Sequence, residues 1–185
     1  MIKELLQDTG TRMRKTAEVL EADLRTIRTG RASPALVERV TVDYYGTPTP
    51  LKQLAVIAAP EPQLLTIRPY DPGSLGDIER AILKSELGLT PSNDGRIIRL
   101  PIPRLTEERR QELARLVRHR VEEGKVALRN IRREVLDDLR EFEKEKLIAE
   151  DEFYRGKDEI QDLTDRYIKE MDEISARKQQ EVLAG

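Results

Sequence analysis

The chain has 185 residues, 38% of them hydrophobic and 37% charged, where a typical soluble domain has about 45–50% and 25%. With two Phe, five Tyr and no Trp, it cannot bury one large compact core, and slender helices are expected instead. No Cys and a single His, His119, exclude disulfides, thiol catalysis, iron–sulfur clusters, cysteine zinc sites and a multi-histidine metal centre.

The first element is helical. Ile2, Leu6, Thr9, Met13, Ala17, Leu20, Leu24 and Ile27 recur in steps of three or four, the spacing of one amphipathic helix face. Gly30 is the expected left-handed C-cap. The pattern then changes. All ten prolines fall between Pro34 and Pro103, and proline both removes a backbone donor and clashes inside helices. Val40, Val42 and Tyr44 alternate with polar residues as in a half-buried strand. Segments 54–58, 64–68 and 96–102 are further strands, with Asn93-Asp94-Gly95 as a tight turn. Between them, Ser74-Leu75-Gly76-Asp77 has the form of a capping box, and Ile78, Ala81, Ile82 and Ser85 mark a short helix running to Gly88.

Thr106 opens the next helix as N-cap, with Glu107 and Glu108 favoured by the helix dipole. Its seam runs through Leu113, Val117, Val121, Gly124, Leu128, Ile131, Val135, Leu139 and Phe142. Gly124 inside this seam implies close approach of a neighbouring helix, because glycine there costs up to ~1 kcal/mol relative to alanine. After a break at 147–149, Phe153, Ile160, Leu163, Tyr167, Met171, Ile174 and Val182 mark a third long helix. Three helices with one narrow apolar stripe each satisfy one another by packing side by side. The expected fold is α+β: a three-helix bundle from residues 1–30 and 105–185, with a small β/α/β domain, 31–104, inserted into it. Two tethers, Thr29-Gly30-Arg31 and Pro103-Arg104-Leu105, join the two and are expected to form a hinge.

The net charge of −2 hides a segregation. Residues 109–133 carry nine basic groups against three acidic, whereas residues 134–173 carry seven basic against sixteen acidic. On a helical wheel Arg118, Lys125, Arg129 and Arg132 lie within about 60° of one another. Arg115 and Arg133 extend this stripe, and Glu122 interrupts it. Arginine outnumbers lysine 23 to 10, and its planar fork suits bidentate phosphate contacts. Without exposed aromatics for base stacking, the stripe fits the phosphates and shape of structured RNA. No phosphate-cradling loop, nucleophile motif or metal-ligand spacing is present. The consecutive acids Glu150-Asp151-Glu152 point about 100° apart on a helix and make a poor carboxylate pair, and His119 sits beside the basic stripe away from the seam. Neither an enzyme nor a cofactor is expected. No apolar run reaches the ~20 residues of a membrane span, so a soluble cytoplasmic monomer is expected.

Four strings in order along the chain carry a resemblance: Arg28-Thr29-Gly30-Arg31-Ala32-Ser33-Pro34, Asp43-Tyr44-Tyr45-Gly46, Leu105-Thr106-Glu107-Glu108-Arg109-Arg110 and Arg129-Asn130-Ile131-Arg132-Arg133. Together they resemble the ribosome recycling factor family over the whole length. The resemblance implies an L-shaped, two-domain molecule of transfer-RNA dimensions with a mobile hinge. It implies that the bundle binds large-subunit ribosomal RNA in the post-termination complex through Arg129, Arg132 and Arg133. The small domain would face the small subunit and elongation factor G, which hydrolyses GTP as the subunits part. Lys125, Arg118 and Arg110 join the expected RNA-binding set. The alternative is a coiled-coil scaffold or chaperone that binds protein without RNA contact.

Overall fold

The computed structural model describes residues 1–184. Four α-helices, α1 (Ile2–Arg25), α2 (Leu75–Lys84), α3 (Glu107–Lys144) and α4 (Glu150–Ala184), accompany six strands. These are β1 (Thr41–Tyr44), β2 (Thr47–Pro50), β3 (Ala55–Glu61), β4 (Leu64–Pro69), β5 (Ser92–Asn93) and β6 (Ile98–Pro101). The chain divides into two compact units. One is Met1–Leu24 with Ala114–Gln180; the other is Arg25–Leu113 with the residues from Glu181 onward.

The first unit is a bundle of α1, α3 and α4. The buried row of α1 is Thr9, Met13, Ala17, Leu20 and Leu24, the spacing expected of one helix face. Glycines mark the tightest approaches. A Cβ on Gly124 would lie 3.3 Å from both Leu20 Cδ2 and Met171 Sδ, so all three helices converge there. A Cβ on Gly156 would meet Leu139 Cδ2 at 3.1 Å and Ile2 Cγ2 at 3.7 Å. These contacts, with an Arg12–Glu134 ion pair at 2.6 Å, fix the directions: α3 runs antiparallel to both α1 and α4. Hydroxyls in the core bond to their own helices, Thr9 Oγ1 donating to Leu5 O at 2.7 Å and Thr164 Oγ1 to Ile160 O at 2.8 Å. A polar residue can therefore occupy a seam position without an unpaired donor.

The turn from α3 to α4 is a Schellman motif. Leu147 N–H donates to Phe142 O and Lys146 N–H to Glu143 O, both at 2.9 Å, with Lys146 in the left-handed region at φ 61°. The chain then enters α4 through Ala149, whose N–H donates to Glu152 Oε1 at 3.1 Å. Glu152 thus supplies one half of a capping box, and the acidic triplet 150–152 sits in the first turn where the helix dipole favours negative charge.

In the second unit a four-stranded antiparallel sheet has the order β3-β4-β6-β5, and a separate hairpin pairs β1 with β2. Leu65, Ile67, Ile98 and Leu100 from the sheet, Ile78 and Ile82 from α2 and Val42 from β1 belong to one buried cluster. The hairpin closes on Tyr45 (φ 49°) and Gly46 (φ 82°), both left-handed as a two-residue type I′ turn requires. Asp71 ties the hairpin to the turn before α2. Its Oδ2 accepts from Tyr45 OH at 3.0 Å and Tyr44 OH at 3.2 Å, and its Oδ1 accepts from Gly73 N–H at 2.9 Å. These donors, the Gly73 N–H foremost, hold the Asp71 carboxyl below the usual carboxylate range. A second carboxylate, Asp94, closes the turn between β5 and β6. It accepts from Ile97 N–H at 2.9 Å, Arg96 N–H at 3.0 Å and Arg99 Nη1 at 2.9 Å, and these donors hold it far below that range.

Local details depart from the sequence reading. α1 stops at Arg25, so Gly30, although left-handed at φ 83°, lies five residues beyond the helix and is not its C-cap. The intervening residues serve side-chain contacts: Ile27 is buried and Arg28 Nη2 donates to Pro103 O at 2.8 Å. Ser74 makes no side-chain cap to α2; its hydroxyl donates back to Asp71 O at 2.7 Å. The cap falls on Asp71 instead, because Pro72 starts a 3-10 turn, Pro72–Ser74, just ahead of the helix. Strands β2 and β5 carry no alternating apolar pattern and are additions to the expected set.

Left-handed φ costs a non-glycine residue about 1–2 kcal/mol, so Lys146→Gly should raise the stability of the bundle by up to about 1 kcal/mol, read as an increased urea midpoint with unchanged slope. Asp94 has a folded pKa below its unfolded value near 3.9. Its contribution is therefore complete above about pH 4 and is lost as pH falls through the depressed value. Asp94→Asn should be less stable than the parent at neutral pH, and the difference should shrink on acidification from pH 4 to pH 2 in urea titrations.

Candidate nucleic-acid interface

The basic groups expected to bind RNA all lie on α3. Its start is fixed by Thr106, whose Oγ1 accepts from Arg109 N–H at 3.1 Å. Arg110 belongs to the second unit and the other five to the first. Arg110 Nη1 stands 3.6 Å from Glu107, while its Nε is buried without a hydrogen-bond partner.

Within the first unit the spacing of seven between Arg118, Lys125 and Arg132 places all three along one flank of α3, facing α4. Each meets a different residue. Arg118 Nη1 donates to Gln179 Oε1 at 2.9 Å. Lys125 Nζ forms an ion pair with Asp172 Oδ1. Arg132 Nη1 donates to Gln161 Oε1 at 3.3 Å. Because α3 and α4 are antiparallel, partners descend on α4 as the bases ascend on α3, forming a ladder of three rungs.

The rungs differ electrically. Lys125 is only 17% exposed and is matched by a carboxylate, so its charge is compensated. Arg118 and Arg132 meet neutral amides and keep theirs. Arg129 lies one turn beyond Lys125, 40% exposed, with Nη1 3.3 Å from Glu122 Oε1; the acid that interrupts the stripe in sequence is its partner. Arg115 and Arg133 are exposed and form no hydrogen bond or ion pair among the described residues. His119 faces solvent, Nε2 2.7 Å from Glu123 Oε1, within a single helix turn and away from the ladder's partners.

Sequence reading along α3 finds the cations but not Gln161, Asp172 and Gln179, which belong to a different helix. Their signal lies in their spacing along α4, where each step is close to a whole number of turns. That signal is legible only once the pairing of the helices is known.

The six residues expected to form a hinge also have a definite setting. Thr29, Gly30, Arg31, Pro103, Arg104 and Leu105 all fall inside the second unit. Ala32 N–H donates to Pro62 O at 2.7 Å and Ile102 N–H to Gln63 O at 2.8 Å, so both chain crossings are moored to the turn between β3 and β4. An open cleft of about 470 Å³ there is lined by Gly30, Arg31, Glu61, Pro62, Gln63, Arg104 and Ala184. Arg28, which bridges the crossings through Pro103 O, has its pKa lowered, first by burial and then by the neighbouring charge of Arg109.

Among the described residues, no group of three or more His, Cys, Asp or Glu side chains is arranged to hold a metal ion, and no helix is long and apolar enough to cross a membrane.

A sequence profile described as ribosome recycling factor matches residues 20–183, a span that includes the ladder and both crossings. The chain belongs to the ribosome recycling factor family. The ribosome-recycling factor of Carboxydothermus hydrogenoformans is 54% identical to it over the full length of both chains. That of Roseiflexus castenholzii is 56% identical over 99% of each. Among solved structures, the solution structure of a ribosome recycling factor superposes with a TM-score of 0.77 at 38% identity, covering 100% of this chain and 98% of that one. A second, at TM-score 0.68, 48% identity and 99% coverage of both chains, is the Thermus thermophilus ribosome recycling factor in models with Escherichia coli elongation factor G bound to the Escherichia coli post-termination complex. The bundle and the small β/α/β domain are thus the fold of a translation factor family.

Proposed function

We propose that this chain recycles post-termination ribosomes. It binds the ribosome through large-subunit ribosomal RNA and, with elongation factor G and GTP, promotes separation of the subunits and release of messenger and transfer RNA. The observation that carries the reading is the cationic flank of α3 within a chain of this family. Arg118, Arg129, Arg132 and Arg133 are carried on a helix stiffened by the bundle, with arginine forks suited to phosphate. Arg110 and Lys125 complete the proposed set; the Lys125 contribution requires release from Asp172.

The chain itself performs no covalent step in this scheme. GTP hydrolysis belongs to the elongation factor, and the work of this protein is mechanical and electrostatic: grip RNA with the bundle and receive a push through the small domain. The proposed bending is at Thr29–Arg31 and Pro103–Leu105, the two stretches that flank the β-rich segment within the second unit. The action belongs in the cytoplasm, where the substrate ribosomes are. Membership of this family favours the RNA-binding reading over a protein-binding scaffold.

Phosphate binding releases counterions, so affinity should fall steeply with salt. Arg132→Ala should weaken binding to purified large subunits by about tenfold at 0.1 M salt, the value of roughly one phosphate contact, with helicity and melting unchanged. Wild-type affinity in that variant would remove Arg132 from the interface. Light scattering of intact post-termination ribosomes provides the functional test. Scattering should drop when this protein, elongation factor G and GTP are all present and should hold when any one is omitted; a protein-binding scaffold would leave it constant throughout.

A further inference from the structure

The three rungs between α3 and α4 lie on one flank and are unlike in chemistry, the last reaching one turn further along α4 than the other two. The middle one pairs lysine with a carboxylate, and the outer two pair arginine with a neutral amide. Each of those amides is itself fixed from its other end. Gln161 Nε2 donates to Asp165 Oδ1 at 2.9 Å, and Gln179 Nε2 donates to Ser175 Oγ at 2.8 Å. With the amide nitrogen engaged by an acceptor one turn earlier or later on α4, the amide oxygen has one direction left, toward the arginine. An amide turned the other way would present an N–H to the guanidinium, and two donors cannot bond each other.

We infer that Gln161 and Gln179 are positioning residues, which hold the Arg132 and Arg118 guanidinium groups in place without discharging them. The inference rests on the reading of the α3 flank as phosphate-binding. A long arginine side chain loses rotamer freedom when it grips a ligand, and one already held loses less. A carboxylate at 161 or 179 would hold the guanidinium equally well but would cancel the charge that attracts phosphate, as Asp172 does for Lys125. A neutral acceptor gives orientation and leaves one Nη-bearing edge and the full positive charge to the ligand. Gln161 also engages Asp165: the carboxylate orients the amide and forms no ion pair with Arg132 among the described residues.

The test uses the full-length protein and purified large ribosomal subunits, with affinity measured across a salt series. Gln161→Glu keeps the acceptor and adds a charge. It should lower affinity by about tenfold at 0.1 M salt and reduce the slope of log affinity against log salt by about one, as expected when one phosphate fewer is neutralised. Gln161→Met keeps neutrality and removes the acceptor; it should lower affinity by less and leave the slope unchanged. In an Arg132→Ala background Gln161→Met should lower affinity no further, since it acts through that arginine. The slope and the double variant separate positioning from a loss of fold, which would weaken binding in every background.

Wild-type affinity and slope in Gln161→Glu, with Arg132→Ala still impaired, would overturn the positioning role while leaving the phosphate reading intact. A further loss in the Arg132→Ala/Gln161→Met double variant would overturn it as well. If Arg132→Ala bound as tightly as the parent, the phosphate reading itself would fall, and the positioning role with it.

Discussion

The structure of the first unit depends on how closely three helices can approach one another. At Gly124 there is no side chain to hold Leu20 and Met171 apart, and a Cβ there would already press on both at 3.3 Å. Gly156 does the same against Leu139 and Ile2. In a chain with few apolar residues the seam cannot be wide, so it has to be tight: dispersion and apolar burial both fall quickly when a gap opens. The same approach sets the register of α3 against α4. Once Gly124 meets Met171 and Gly156 meets Leu139, the positions beside the seam are brought opposite one another, and Arg118, Lys125 and Arg132 reach Gln179, Asp172 and Gln161. The packing of the core thus decides the electrostatics of the flank.

That flank gives meaning to a net charge of −2. The basic half of α3 lies along an acidic α4, an arrangement that would neutralise the cations if carboxylates faced them all. Only the middle rung is so matched. Elsewhere the acids of α4 are used differently: Glu152 caps its own helix, Asp165 turns an amide, and Asp151 pairs with Arg155 at 3.4 Å on the same helix. Such exposed pairs contribute little to stability, and their value is in where they leave charge uncompensated. An RNA backbone approaching from the α4 side would meet repulsion, and one approaching the outer face of α3 would meet Arg133 and an Arg129 shared with Glu122.

The second unit solves a different problem, how to hold short strands together with few large side chains. Turn chemistry does much of it. Tyr45 and Gly46 supply the left-handed pair of the hairpin, Asp94 gathers three donors, and Asp71 gathers two tyrosine hydroxyls and a backbone N–H. Tyr44 and Tyr45 pack edge to face at 4.6 Å between ring centroids, so the only aromatic pair in this unit among its described residues is used in that clasp. Two carboxylates held below their usual range link this local order to the acid side of the stability profile.

Much of this was legible in the sequence because it is local or periodic. The proline-free ends, the three- and four-residue spacing of the seams, the N-cap at Thr106 and the turn at Asn93–Gly95 each follow from the conformational preferences of the residues present. The glycine at 124 announced a close neighbour, and the helical-wheel positions of Arg118, Lys125, Arg129 and Arg132 announced one coherent flank. Where the reading failed, competing local bonds decided. Pro72 moved the cap from Ser74 to Asp71, and α1 ends at Arg25, ahead of a buried Ile27 and of Arg28, which bonds to Pro103 O. Strand β2 escaped notice because its prolines are tolerated at a sheet edge, where no ladder partner needs their missing N–H. The sequence by itself determined which residues are charged and which helix face carries them. The tertiary structure decided which charges on the flank facing α4 remain available, because there compensation depends on the residue a second helix places within about 3 Å, and one dimension of spacing along α3 contains no information about α4.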